Sequence, residues 1–229
     1  MSFEIFDAII YINLSHRQDR ERALLSELSK LAVNPSKIHR IEGVFDIFNG
    51  HRGCAQSHIN ALEFAEKNGF SKTLILEDDA IFPLDTKTTY QELESAVSCL
   101  PALWHVLLLG GNVMIARQTP YPHLKQVLYA QSCHAYVIHK DYISTLKTCF
   151  QKSLALMQQD GDYFESQQRK HSIDHQWKSL QTKDLWFVGK IIAQQRQSYS
   201  DITNTVYGSH FPDVGEADPS AVLKEYKNF

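Results

Sequence analysis

The apolar positions change period several times along the chain, and each change predicts an element. AIIYINL, residues 8–14, is an unbroken β-branched and aromatic run, as a buried strand requires. In DRERALLSELSKLA the period becomes helical, with Ala23, Leu24, Leu28 and Leu31 on one face and Asn34-Pro35 as a stop. Ser15 and Gln18 match a capping box, so the strand is expected to turn straight into that helix. KIHRIEG predicts a short strand, and CAQSHINALEFAEKNG sets Ile59, Leu62 and Ala65 at helical spacing before closing on Gly69. TLILEDDAIF then predicts a strand, YQELESAVSCL a helix and WHVLLLGG another strand.

The second half is less regular. QVLYAQSCHAYVIH predicts a bent strand or hairpin, DYISTLKTCF a helix capped by Asp141, and DLWFVGKIIAQQ a strand. NVMIARQTPYPH and QQDGDYFESQQRKHS read as loops suited to choosing an acceptor, and the polar tail from Asp213 as loosely attached. Strand and helix in alternation predict an α/β fold, a mostly parallel central sheet flanked by helices. With 229 residues, 43% of them hydrophobic, one core suffices, so a single domain over 1–212 with a tail over 213–229 is expected.

Charge and cysteine usage narrow the function classes. Lys and Arg number 23 against 26 Asp and Glu, and a net charge of -3 gives no global attraction to nucleic acid, although HRQDRER and KIHR leave local phosphate contact open. Cys54, Cys99, Cys133 and Cys149 are widely spaced, indicating neither a zinc ribbon nor a disulfide framework. Cys54 and His58 are four apart on one predicted helix, yet no second Cys/His pair has ligand spacing; they read as a packing cysteine and a site-facing histidine. No apolar run is long enough to cross a bilayer, and the N-terminus carries Glu4 and Asp7 where a secretory signal carries basic residues. A cytoplasmic location is expected.

The strongest chemical signal is Glu77-Asp78-Asp79 between an apolar strand and Ala80-Ile81-Phe82. Adjacent carboxylates repel, so a cluster with core-like flanks reads either as a cation site or as a solvated strand end. Alternation along a strand would point Glu77 and Asp79 one way and Asp78 the other, an oxygen pair suited to Mg²⁺ or Mn²⁺ and, through it, to a phosphorylated ligand. Arg17 and Arg20 follow the first strand in a predicted first helical turn, where they either hold an anion or simply offset Asp19 and Glu21. Asp160 and Asp162 in QQDGDYF read as a solvated turn. No GxGxxG or Walker sequence occurs.

YINLSHRQDR, GCAQSHINAL, LILEDDAIF, CHAYVIHKDYISTL, SIDHQW and QQRQSYSDI, in that order over residues 8–202, resemble glycosyltransferase family 25, which includes lipopolysaccharide-modifying enzymes and procollagen galactosyltransferases. The resemblance implies a single GT-A-like domain that moves a hexose from a nucleotide-sugar, UDP-linked, to an acceptor hydroxyl with inversion. It implies Mn²⁺ or Mg²⁺ on Asp79 and Glu77, with Glu77 and Asp78 also reaching the ribose or metal-bound water. It sets Asn13, Leu14, Arg17 and Arg20 near the nucleotide, Gly53, Ser57 and His58 beside the donor pocket, and Gln197, Ser200 and Asp201 on its far side. Asp174 is the implied base, against the alternative that it caps a short helix through Trp177. The acceptor would be a glycan, a lipid-linked glycan or a protein, with peripheral membrane contact allowed. A nucleotide-sugar hydrolase and a non-catalytic nucleotide- or glycan-binding module are the competing classes.

Overall fold

The computed structural model describes residues 3–160, 169–202 and 205–207. Strand β1 (Ala8–Asn13) is buried along its whole length, as its unbroken apolar run requires. It leads through helix α1 (Gln18–Lys30) to β2 (Ile38–Glu42), which pairs parallel to β1 on one side. Helix α2 (Gly50–Lys67) then carries the chain across to β3 (Lys72–Glu77), parallel to β1 on the other side.

The two faces of β1 separate two cores. Ile10 and Ile12 pack with Ala55, Ile59 and Leu62 of α2 and with Leu146 and Phe150 of α4 (Ile143–Gln159). Ile9 and Tyr11 pack with Leu24 and Leu28 of α1 and with Leu93 and Ala96 of α3 (Thr86–Ser98). Since α1 and α2 pack on opposite faces of β1, with β2 on one side of it and β3 on the other, the winding reverses there. That opens a crevice at the carboxyl ends of β1 and β3, the place where α/β sheets bind ligands.

The central sheet has eight strands. Besides β1–β3 it contains β5 (Val106–Leu108), β6 (Asn112–Gln118), β7 (Lys125–Gln131), β8 (Ala135–His139) and β9 (Trp186–Val188), in the order β2-β1-β3-β8-β5-β9-β7-β6. Six strands run one way, but the reversed β8 and β7 are interleaved among them. Among the described residues only β1–β2, β1–β3 and β5–β9 are therefore parallel pairs, and the sheet is mixed rather than mostly parallel.

Other departures have local causes. Ser132 takes a positive φ of 65°, so QVLYAQSCHAYVIH is neither one bent strand nor a hairpin: β7 ends there, and β8 inserts between β3 and β5. The expected loop NVMIARQ is strand β6, paired with β7. TLILEDDAIF breaks at Glu77; Asp78 and Asp79 form a turn, and the two-residue β4 (Ala80–Ile81) pairs with β10 (Gln194–Gln195). DLWFVGKIIAQQ is likewise split between β9 and β10. The capping box does not form, because α1 begins at Gln18 and the Ser15 amide donates to Glu42 instead. Asp141 lies in a short 3-10 turn ahead of α4, whose own N-cap is Tyr142. A small hairpin, β11 (Ser198–Ser200) with β12 (Thr205–Tyr207), lies near the end of the described chain. Residues 213–229, the expected tail, fall outside the described residues.

Candidate active site

At the reversal point the first and third strands each end in polar groups that satisfy one another. Asn13 Nδ2 donates to Asp78 Oδ2 (2.9 Å) and to the Arg17 carbonyl (3.0 Å), which ties the end of β1 to the acidic turn. Arg20 reaches from α1 to Asp78 Oδ1 (2.9 Å) and Asp79 Oδ2 (3.4 Å), while its other amino group donates to Ser198 Oγ (2.7 Å) and the Tyr199 carbonyl (2.8 Å). One guanidinium thus joins the carboxylates to β11. Arg17 secures the same segment through the Tyr199 carbonyl (3.0 Å) and an ion pair to Asp201, which His16 also approaches at 3.3 Å.

The opposite wall is a loop fixed by α2. Asn49 caps that helix by accepting from the Arg52 amide, and Asp46 accepts from the amides of Phe48 and Asn49 and from the Arg52 guanidinium. Ser57 donates to the Gly53 carbonyl (2.7 Å) and accepts from the Val44 amide (2.8 Å). A Cβ on Gly53 would lie 2.3 Å from the Val44 carbonyl oxygen, so only glycine lets the loop cross the helix this closely.

Between these walls lies a cleft open to solvent. Leu14, Val44, Phe45 and Ile202 give it apolar surface; Arg20, Glu77, Asp78, Asp79 and Asp201 give it charge. Burial pushes Asp79 up to about 8, helped by the neighbouring charges of Glu77 and Asp78 and only partly opposed by Arg20. Its Oδ1 is buried and has no hydrogen-bond partner among the described residues. Burial also raises Asp78, against the pull of Arg20 and Asn13. One guanidinium against two buried carboxylates leaves a deficit of positive charge here.

Of the residues the resemblance singles out, Leu14, Arg20, Ser57, His58, Glu77, Asp78, Asp79, Ser200 and Asp201 line the cleft. Asn13, Arg17 and Gly53 stand behind it and hold its walls. Gln197 is exposed and outside the lining, and Gln195 faces the cleft in its place. The acidic triplet does not alternate as a strand would. Asp78 and Asp79 share Arg20, whereas Glu77 Oε1 lies 3.3 Å from His58 Nε2 and 3.2 Å from Cys133 Sγ. Burial would raise Glu77, but His58 overrides it and brings the carboxyl below its usual range.

Cys54 packs against the core and His58 lines the cleft, as read from the sequence, and the fold brings Glu77 and Cys133 beside them from distant stretches, which no spacing rule could find. Asp174 is half-buried and outside the cleft lining; it accepts from Ser172 Oγ (2.6 Å) and the Ser132 amide (3.3 Å), while Ser172 occupies the N-cap position. Asp160 pairs with His171, and Asp162 falls outside the described residues. No helix among the described residues is long and apolar enough to cross a membrane.

A model of glycosyltransferase family 25, described as LPS biosynthesis protein, matches residues 1–161. Solved structures with a similar course of chain include A197 from STIV, 13% identical over 90% of this chain and 96% of that one, with a TM-score of 0.47. A glycosyltransferase involved in the glycosylation of the major capsid of PBCV-1 is 13% identical over 80% and 92%, with a TM-score of 0.44. A mannose-1-phosphate geranyltransferase from Thermus thermophilus is 11% identical over 80% and 72%, with a TM-score of 0.48.

Proposed function

The chain belongs to glycosyltransferase family 25, and from that membership we propose that it moves a hexose from a UDP-linked sugar to a hydroxyl of a glycan or lipid-linked glycan, with inversion and with a divalent cation. The observation that carries the reading is the cleft at the ends of β1 and β3, where a buried aspartate keeps an oxygen without a partner beside an arginine-held turn.

A cation fits this place. Among the described residues Asp79 Oδ1 lacks a partner and the local charge is short of a positive group, so Asp79 would hold Mn²⁺ or Mg²⁺, oxygen-preferring ions that accept substrate phosphates as ligands. Glu77, the other expected ligand, has its Oε1 against His58 and Cys133, and the two oxygens of Asp78 are engaged by Arg20 and Asn13. When bound, such a cation supplies Lewis-acid stabilisation of the departing diphosphate.

The protein's own groups do the rest. Leu14, Val44, Phe45 and Ile202 would cover the nucleoside, and Arg20 would orient the diphosphate from the acidic turn. Ser200 and Asp201 would close over the donor because Arg17 secures their segment. Transfer forms a bond from the acceptor oxygen to the anomeric carbon. The bond to the diphosphate breaks, its electron pair leaves on the phosphate oxygen, and the acceptor's proton passes to a base, for which Asp174 is our candidate.

The test is a panel of nucleotide-sugars incubated with Mn²⁺, followed as release of nucleoside diphosphate with and without a lipopolysaccharide-type acceptor. Consumption that rises with acceptor supports transfer; equal consumption without it favours hydrolysis. Asp79→Asn should keep the fold and lose most of the Mn²⁺-dependent gain in UDP affinity, measured by calorimetry. An equal gain in the mutant removes Asp79 from the metal site.

A further inference from the structure

Cys54, His58, Glu77 and Cys133 come from three distant stretches, yet their donor atoms all lie within 4.8 Å of one another. Cys54 and His58 sit one turn apart on α2, Glu77 ends β3, and Cys133 precedes β8. We propose that these four side chains form a zinc site beneath the donor cleft, separate from the oxygen ligands of Asp78 and Asp79.

Three of the four donors stand at spacings close to those of a loaded site, with Cys54 within 4.8 Å of each. Ligands 2.0–2.3 Å from a tetrahedral ion stand roughly 3.3–3.8 Å from one another. Here His58 Nε2 lies 3.3 Å from Glu77 Oε1 and 3.7 Å from Cys133 Sγ, and Cys133 Sγ lies 3.2 Å from Glu77 Oε1. The imidazole is already aimed. Its Nδ1 meets the Tyr136 hydroxyl at 3.1 Å and its ring stacks on Tyr136, which leaves Nε2 for the cluster, the outer support that zinc histidines use.

The donor set decides which metal. Two thiolates, an imidazole and one carboxylate suit zinc and disfavour Mg²⁺ or Mn²⁺, which take oxygen. Four protein ligands make the site closed and structural. Cys54, His58 and Glu77 line the floor of the cleft, so an ion can enter from there. Once bound it would clamp α2 to the ends of β3 and β8 and fix the residue from which the Asp78-Asp79 turn departs. The zinc site does not depend on the donor or acceptor proposed above.

The experiment measures metal in the purified full chain by mass spectrometry, as isolated and after chelation followed by one equivalent of Zn²⁺. Cobalt is then substituted and its absorption recorded. One zinc per chain, a chelator-induced fall in melting temperature and a thiolate-to-cobalt charge-transfer band are expected. Cys133→Ala should lose the metal and the band, while Cys99→Ala keeps both. A folded wild-type chain that takes up neither ion, a cobalt spectrum without thiolate bands, or a Cys54–Cys133 disulfide in protein prepared under reducing conditions would each overturn the site. Because the wild-type spectrum reports directly on the thiolates, the proposal stands or falls on it even where Cys133→Ala fails to fold.

Discussion

At the scale of single residues, Arg20 and Arg22 are separated by what surrounds them. Arg20 is the half-buried counter-charge of the buried Asp78 and Asp79, whereas Arg22 lies on the outer side of α1 and donates to the Gln18 carbonyl of its own helix. Removing one partner of a buried ion pair leaves an uncompensated charge and costs about 3–5 kcal/mol. Arg20→Ala should therefore lower stability by that order and weaken UDP binding, while Arg22→Ala stays within about 0.5 kcal/mol. Urea unfolding and UDP titration at two salt concentrations read both effects; equal small losses would make the attraction general. Asp174 is a sharper case because both its oxygens are already taken. As base, Asp174→Asn should cut transfer about 10²–10⁴-fold with donor affinity unchanged. As a prop for the Ser132 turn, it should alter melting temperature and leave the rate nearly intact.

At the scale of elements, the segment from Ser198 to Asp201 is held over the cleft chiefly by charge. Burial raises Asp201, but the hydrogen bonds and charges of Arg17 and His16 outweigh it and bring the carboxyl below its ordinary range. A depressed carboxylate contributes stability that is full above its ordinary pKa and is lost as pH falls through the lower folded value. The segment should thus remain closed from neutral pH down to about 4 and release below that. Amide hydrogen exchange of residues 198–202 across this range is the check, and Asp201→Asn should reproduce the released pattern at pH 7. Protection that is independent of both pH and Asp201 would assign the closure to the β11–β12 hairpin instead.

At the scale of the molecule, one sheet carries both cores, and β1 contributes Ile9 to one and Ile10 to the other. Each is fully buried, so Ile9→Ala and Ile10→Ala should each cost about 2–5 kcal/mol. Both should do so within one cooperative transition followed by fluorescence and circular dichroism. Two separable transitions would show that the faces fold independently.

The sequence by itself determined the features written in consecutive residues. The buried run of β1, the helical faces of α1 and α2, the Gly69 stop and the acidic triplet at a strand end need only local periodicity and turn chemistry to be seen, whereas cleft residues such as Ser57, Ser200 and Asp201 were implied only by the family resemblance. Tertiary structure decided what depends on distant partners. Strand order and direction are properties of pairing, so the reversed β8 and β7 have no signature within their own residues. Asp78 and Asp79 turn toward Arg20 because a guanidinium waits there, and Glu77 turns away because His58 and Cys133 do. The proposed ligand cluster, drawn from three distant stretches of the chain, becomes one site only when the sheet brings β3, β8 and α2 together.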